Sequence, residues 1–106
     1  MTVKTEKPSQ LRVLVTAGAS GIGRVIAESF AQTGARLHIC DIADAALSEA
    51  KKTHPTWGVS RCDVSQSDQV AGLFEEVGNN FDGLDVLINN AGIAGPTGGV
   101  EEITAD

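Results

Sequence analysis

Eight residues, TAGASGIG (Thr16 to Gly23), narrow the folds open to this chain more than any others, because they lie between an apolar run and an amphipathic helix. Upstream, Leu11 to Thr16 (LRVLVT) is rich in β-branched residues and reads as a strand buried on both faces. Downstream, Ile22, Val25, Ile26 and Phe30, with Ala27 and Ala31, follow helical spacing, and Gly34 is placed to end the helix. In a strand, turn and helix of this kind, the unpaired N–H groups and positive dipole end of the helix face whatever lies at the turn. Glycines there let a phosphate approach the backbone. The same residues also fit a tight turn that needs Gly for positive φ and binds nothing. The spacing is not G-x-G-x-x-G, which would need Gly at Ile26, and no Gly-Lys-Ser/Thr follows to make a P-loop.

The rhythm then repeats. Arg36 to Asp41 reads as a second strand, and Asp44 to Thr53 as a second helix with Asp44 as its N-cap and Pro55 beyond its end. Trp57 to Cys62 gives a third strand. Ser67 to Val77 gives a third helix with Val70, Leu73, Phe74 and Val77 on one face and Phe81 packed beneath. After the Asp82-Gly83 turn, Asp85 to Asn89 forms a fourth strand. Residues 1–10 read as a mobile polar leader and residues 90–106 as a Gly/Pro-containing loop. Four strands alternating with three helices predict an α/β fold, with a parallel sheet and right-handed crossovers. Ligands of such sheets bind at the carboxyl ends of the strands, which here carry Thr16 to Gly23, Asp41, Asp63 with Val64, and Asn89 to Gly92.

Charge narrows the partners. Of 106 residues, 8 are Lys or Arg and 14 Asp or Glu, a formal charge of -6 that argues against nucleic acid or anionic membrane. No apolar run approaches the roughly 20 residues of a membrane span, and MTVKTEKPSQ has no signal-peptide core, so a cytoplasmic protein is expected. Cys40 and Cys62 have no metal-ligand spacing and read as small buried hydrophobes; no metal site is expected. His38 falls mid-strand and reads as structural, and His54 falls in an exposed turn.

Asp41 ends the second strand 18 residues after Gly23. That is close to the roughly 20-residue separation at which a carboxylate bonds the ribose hydroxyls of a dinucleotide. A carboxylate there would repel a 2′-phosphate, and no Arg or Lys directly follows it, so the combination points to NAD over NADP. The other reading of Asp41 is a loop start or a cap for the next helix.

TAGASGIG resembles the T-G-x-x-x-G-x-G cofactor turn of the short-chain dehydrogenase/reductase family. Asp63-Val64 and Asn89-Asn90-Ala91-Gly92 resemble its D-V and N-N-A-G elements, in the same order and at the ends of strands. The resemblance runs from about Leu11 to Asp106 and implies an NAD-binding domain over residues 11–106. Its fold would be the N-terminal part of a Rossmann-type doubly wound parallel sheet, four strands in the order 3-2-1-4 with three helices. The family's first turn Gly is Ala17 here, which Ala can replace if φ is negative.

Residue by residue, the resemblance implies that Gly18, Ser20, Gly21, Ile22 and Gly23 line the pyrophosphate and adenosine ribose, and that Asp41 takes the ribose hydroxyls. It implies that Asp63 accepts from the adenine amino group with Val64 beside the ring. Asn89, Ala91 and Gly92 would lie along the cofactor, with Asn89 bracing the sheet. Asp63 also fits a helix cap, and Asn89-Asn90 a polar turn.

The family's catalytic Tyr and its Lys four residues on have no counterpart, since the chain contains no Tyr, so no catalytic residue is assigned. The implied activity is an NAD(P)-dependent interconversion of a small alcohol and carbonyl, represented by its cofactor-binding half and inactive as this chain. The alternative is a stand-alone NAD-binding module without catalysis. The fourth strand would be a bare apolar edge, so homo-oligomers are expected. Ile93 to Pro96 would touch the rim of the substrate pocket.

Overall fold

The structure, a computed structural model, describes residues 10–90. β1 (Arg12–Thr16), β2 (Arg36–Asp41), β3 (Gly58–Arg61) and β4 (Val86–Ile88) form one parallel sheet in the order β3-β2-β1-β4. α1 (Gly21–Gln32), α2 (Asp44–Thr53) and α3 (Ser67–Phe81) make the connections. Four strands in the order 3-2-1-4 with three helices are what the sequence predicts. β2 and α2 have the expected bounds, whereas α3 runs four residues past Val77, with Phe81 as its last residue.

Alternation along the strands divides the core. Val13, Val15, Leu37 and Ile39 pack with Ala27 of α1 and Leu47 and Ala50 of α2; Leu14, Cys40 and Cys62 pack with Leu73, Val77 and Phe81 of α3 and its end. The two cysteines are free, buried small side chains, as expected. α1 meets the sheet through only part of the expected face, with Phe30 and Ala31 packed against the core as expected. Its buried positions are Gly23 and Ala27, while Ile22 and Val25 point outward, 67% and 62% exposed. Phe74 of α3, also expected in the core, is 43% exposed.

The helix ends follow from local chemistry. Gly34, at φ +92, closes α1: its N–H donates to Ala31 O and the next N–H, of Ala35, donates to Phe30 O. Asp44 is not the N-cap of α2; that position is Ala43, and Asp44 lies in the first turn, where its charge favours the helix dipole. Asp63 does not cap α3 either, since the helix starts at Ser67 with Gln66 before it.

Two side-chain groups tie the layers together. Arg12, at the start of β1, grips the Asp85 carboxylate through Nε and a terminal nitrogen at 2.8 and 2.9 Å, while the two backbones exchange a bond from Asp85 N to Arg12 O. Beneath the other face, buried His38 is within 2.7 Å of Ser60 Oγ, which donates to Glu76 Oε1 at 2.7 Å, and the Asn80 amide reaches His38 Nδ1 at 3.3 Å. Because Ser60 uses its proton on Glu76, His38 Nε2 is the donor to Ser60. His54 is not in an exposed turn. It is half-buried, stacked on Trp57 with centroids 3.9 Å apart, and donates to Glu28 Oε2 at 3.0 Å.

Candidate nucleotide-binding site

At the carboxyl end of β1 the chain turns sharply through Ala17, at φ 52, and enters α1 through Gly21, at φ 60. The Ala17 value corrects the expectation of negative φ. The residue is left-handed, a conformation that costs a non-glycine residue about 1–2 kcal/mol. Three consecutive contacts hold it there. The Ala17 N–H bonds the Cys40 thiol, the Gly18 N–H donates to Cys40 O at 3.1 Å, and the Ala19 N–H donates to Asp41 Oδ2 at 3.2 Å. The last two residues of β2 thus satisfy three successive amides of the turn. Burial, reinforced by neighbouring Cys62, pushes the Cys40 thiol up to about 12, so it serves as an uncharged hydrogen-bonding group.

The glycines divide by direction. Gly18 and Gly23 face inward: a Cβ on Gly18 would lie 2.9 Å from Ile39 Cγ2, and one on Gly23 would lie 2.1 Å from Ala17 O. Gly21 faces open space, with nothing within 4 Å of a Cβ position. The first intrahelical bond near this end runs from Arg24 N to Ser20 O, so the amides of Gly21, Ile22 and Gly23 point out of the N-terminal end of α1. α2 and α3 carry Asp44 and Asp68 in their first turns, whereas α1 has no acidic residue there and Ser20 makes no side-chain cap. The helix at the Gly turn is the one with no acidic residue of its own in the first turn, which suits an external anion such as a pyrophosphate at its amides.

Asp41 lies at the adjoining strand end. Besides holding Ala19 N through Oδ2, its Oδ1 accepts from the N–H groups of Ile42 at 2.8 Å and Ala43 at 3.2 Å. Asp63 lies after β3. Its Oδ1 accepts from Ser65 Oγ at 2.7 Å and Ser65 N at 3.0 Å, contacts that hold its carboxyl below the ordinary carboxylate value, and Val64 beside it is 39% exposed. At the end of β4, Asn89 Oδ1 accepts from Thr16 Oγ1 at 3.2 Å, which joins β4 to β1. Ala91 and Gly92, with the rest of residues 91–106 and residues 1–9, lie outside the described residues.

Similarity to known proteins agrees with this geometry. A family model described as enoyl-(acyl carrier protein) reductase matches residues 16–106. The chain belongs to the short-chain dehydrogenase/reductase family. This short-chain dehydrogenase/reductase chain is 40% identical over 102 residues to a tropinone reductase homolog, At2g30670, of Arabidopsis thaliana, covering 91% of this chain and 38% of that protein. It is 35% identical over 95 residues to the short chain dehydrogenase/reductase dpchG of Colletotrichum higginsianum, covering 83% and 35%. A solved short chain dehydrogenase from Bacillus anthracis superposes with a TM-score of 0.70 at 32% identity, covering 76% of this chain and 34% of that one. The chain therefore spans about a third of the length of the relatives it matches.

Two residues of this family member do more than the sequence indicated. Buried Asn90 donates from Nδ2 to Ala17 O at 3.2 Å and stands 2.6 Å from the Cβ position of Gly23, so it holds the turn from the β4 side. Cys40 holds it from the β2 side. The doubled Asn of the N-N-A-G element was the available signal for the first. The second had none, because a Cys inside an apolar strand looks like any small core residue.

Proposed function

We propose that residues 11–106 form the adenosine-binding half of the NAD-binding domain of a cytoplasmic oxidoreductase that interconverts a small alcohol and a carbonyl. NAD is preferred over NADP. The observation that supports this best is the carboxylate of Asp41, held by three backbone N–H groups at the strand end beside a helix N-terminus that lacks an acidic residue. In that position the carboxylate can accept from ribose hydroxyls and repel a 2′-phosphate, while the amides of Gly21, Ile22 and Gly23 take the pyrophosphate. Gly18 brings the turn close against Ile39 of β2 at the pyrophosphate site, Ser20 and Ile22 border the phosphates, Asp63 and Val64 take the adenine, and Asn89, Ala91 and Gly92 continue along the cofactor. The nicotinamide, when bound, supplies or accepts the hydride.

The sequence contains no Tyr, so no proton donor of the family's kind is available and the 106 residues should not turn over substrate by themselves. Affinity for the dinucleotide should be modest, because these residues contact only its adenosine half. Titration calorimetry with NAD and NADP tests the reading. NAD should bind more tightly, and Asp41→Ala should erase the difference; an unchanged preference in the variant would sink the assignment.

A further inference from the structure

We propose that Arg61 is a second determinant of cofactor choice at this site, a cation adjoining the ribose 2′ position that is kept occupied by Asp44. The inference rests on the nucleotide-binding reading above and concerns a residue which that reading leaves out.

Asp41 and Arg61 are register partners on neighbouring parallel strands, so their side chains leave the same face of the sheet at its carboxyl edge. It is the face on which Ile39 and Val59 pack toward α1 and α2. Arg61 Nε lies 3.3 Å from Asp44 Oδ1, in the first turn of α2. The Asp41 carboxylate, meanwhile, fills a small anion-binding nest made by the amides of Ala19, Ile42 and Ala43. One side chain of this chain thus occupies the place of an anion, and its cationic register partner, Arg61, is directed to another carboxylate.

The Arg61–Asp44 pair is exposed, with side-chain exposures of 58% and 76%, so little free energy holds it together and Arg61 is readily drawn to a better anion. A dianionic 2′-phosphate is such an anion, since guanidinium binds phosphate through paired charge-assisted bonds. Selectivity at the 2′ position is then a balance of two terms. Asp41 disfavours the phosphate by like charge, and Arg61 offsets part of that cost to the extent that Asp44 releases it.

The test uses two adenosine ligands differing by the 2′-phosphate, 5′-AMP and adenosine 2′,5′-bisphosphate, titrated into the full chain at low salt. Wild type is compared with Asp44→Asn, Arg61→Gln and the double variant, all at exposed positions. Asp44→Asn should tighten bisphosphate binding relative to AMP by about fivefold, the scale of one exposed ion pair. Adding Arg61→Gln should abolish that gain, and Arg61→Gln alone should weaken the bisphosphate relative to AMP. A gain that persists in the double variant, or a bisphosphate-to-AMP ratio equal in all four proteins, would overturn the role of Arg61 while leaving the cofactor site standing. If neither ligand bound wild type at millimolar concentration, the nucleotide-binding reading itself would fall and this inference with it.

Discussion

The carbonyl oxygen of Ala17 closes over the α-carbon of Gly23, leaving only 2.1 Å between that oxygen and the position of a Cβ. The oxygen also accepts from Asn90, so it cannot move aside without breaking that partly buried bond. Gly23→Ala should therefore cost about 3 kcal/mol of stability, the upper range for overpacking, and should weaken nucleotide binding at the same time. Urea denaturation and calorimetry check both; a variant within about 0.5 kcal/mol of wild type would contradict the close packing.

Ala17 itself carries the opposite expectation. Glycine adopts φ near +50 without the Cβ penalty, although it gains entropy in the unfolded chain. Relief of strain should win, and Ala17→Gly should raise stability by about 0.5–1 kcal/mol. The expected sign is a higher urea midpoint at unchanged slope.

Stability should depend on pH in two windows of the same sign. Burial lowers the pKa of His38 below its ordinary 6.5, against a smaller opposing pull from Glu76. Between the folded value and 6.5 the unfolded chain binds more protons, so the contribution is complete above pH 6.5 and is lost as pH falls below it. Arg12 holds the Asp85 carboxyl down to about 2 from 3.8, so a second loss follows as pH falls from 3.8 toward 2. Denaturation midpoints across pH 7 to 5 should decline in wild type and decline less in His38→Gln; equal slopes would remove His38 from the account.

β4 forms the end of the sheet, paired only with β1 among the described residues, and its three residues Val86, Leu87 and Ile88 carry no charge. Leu87 is 47% exposed. An uncharged apolar edge recruits strands from other molecules, so the chain should self-associate as its concentration rises, and Leu87→Lys should shift it toward monomer. Size-exclusion chromatography at several loadings reads this directly; a wild type that elutes as monomer at every loading would refute it.

Legibility in the sequence followed the range of the interactions. β2 and α2 were placed to the residue because periodicity and breakers are local signals: Gly34 ends α1 by its own backbone and Pro55 follows the end of α2. The place of Asp41, at the end of β2 beside the glycine turn, was legible from the strand pattern. The core face of α1 was legible only in part: Ala27, Phe30 and Ala31 pack as expected, but Ile22 and Val25 do not. Small Gly23 and Ala27 bring the helix against the sheet, and the bulkier Ile22 and Val25 are left outside, so hydrophobic size pointed the wrong way. Phe74 misled for a related reason. It lines an open cleft with Leu87 of β4, the end strand, and no further strand among the described residues covers it. The sign of φ at Ala17 and the bond from Asn90 to its carbonyl depend on residues distant in sequence.

The glycine turn and the end of β2 are one mechanical part, because Ala17, Gly18 and Ala19 all bond to Cys40 or Asp41. Transplanting TAGASGIG alone into another parallel sheet should give a loop that wanders. A working graft has to carry the Cys40-Asp41 dipeptide on the neighbouring strand, in register, as the second half of the same module.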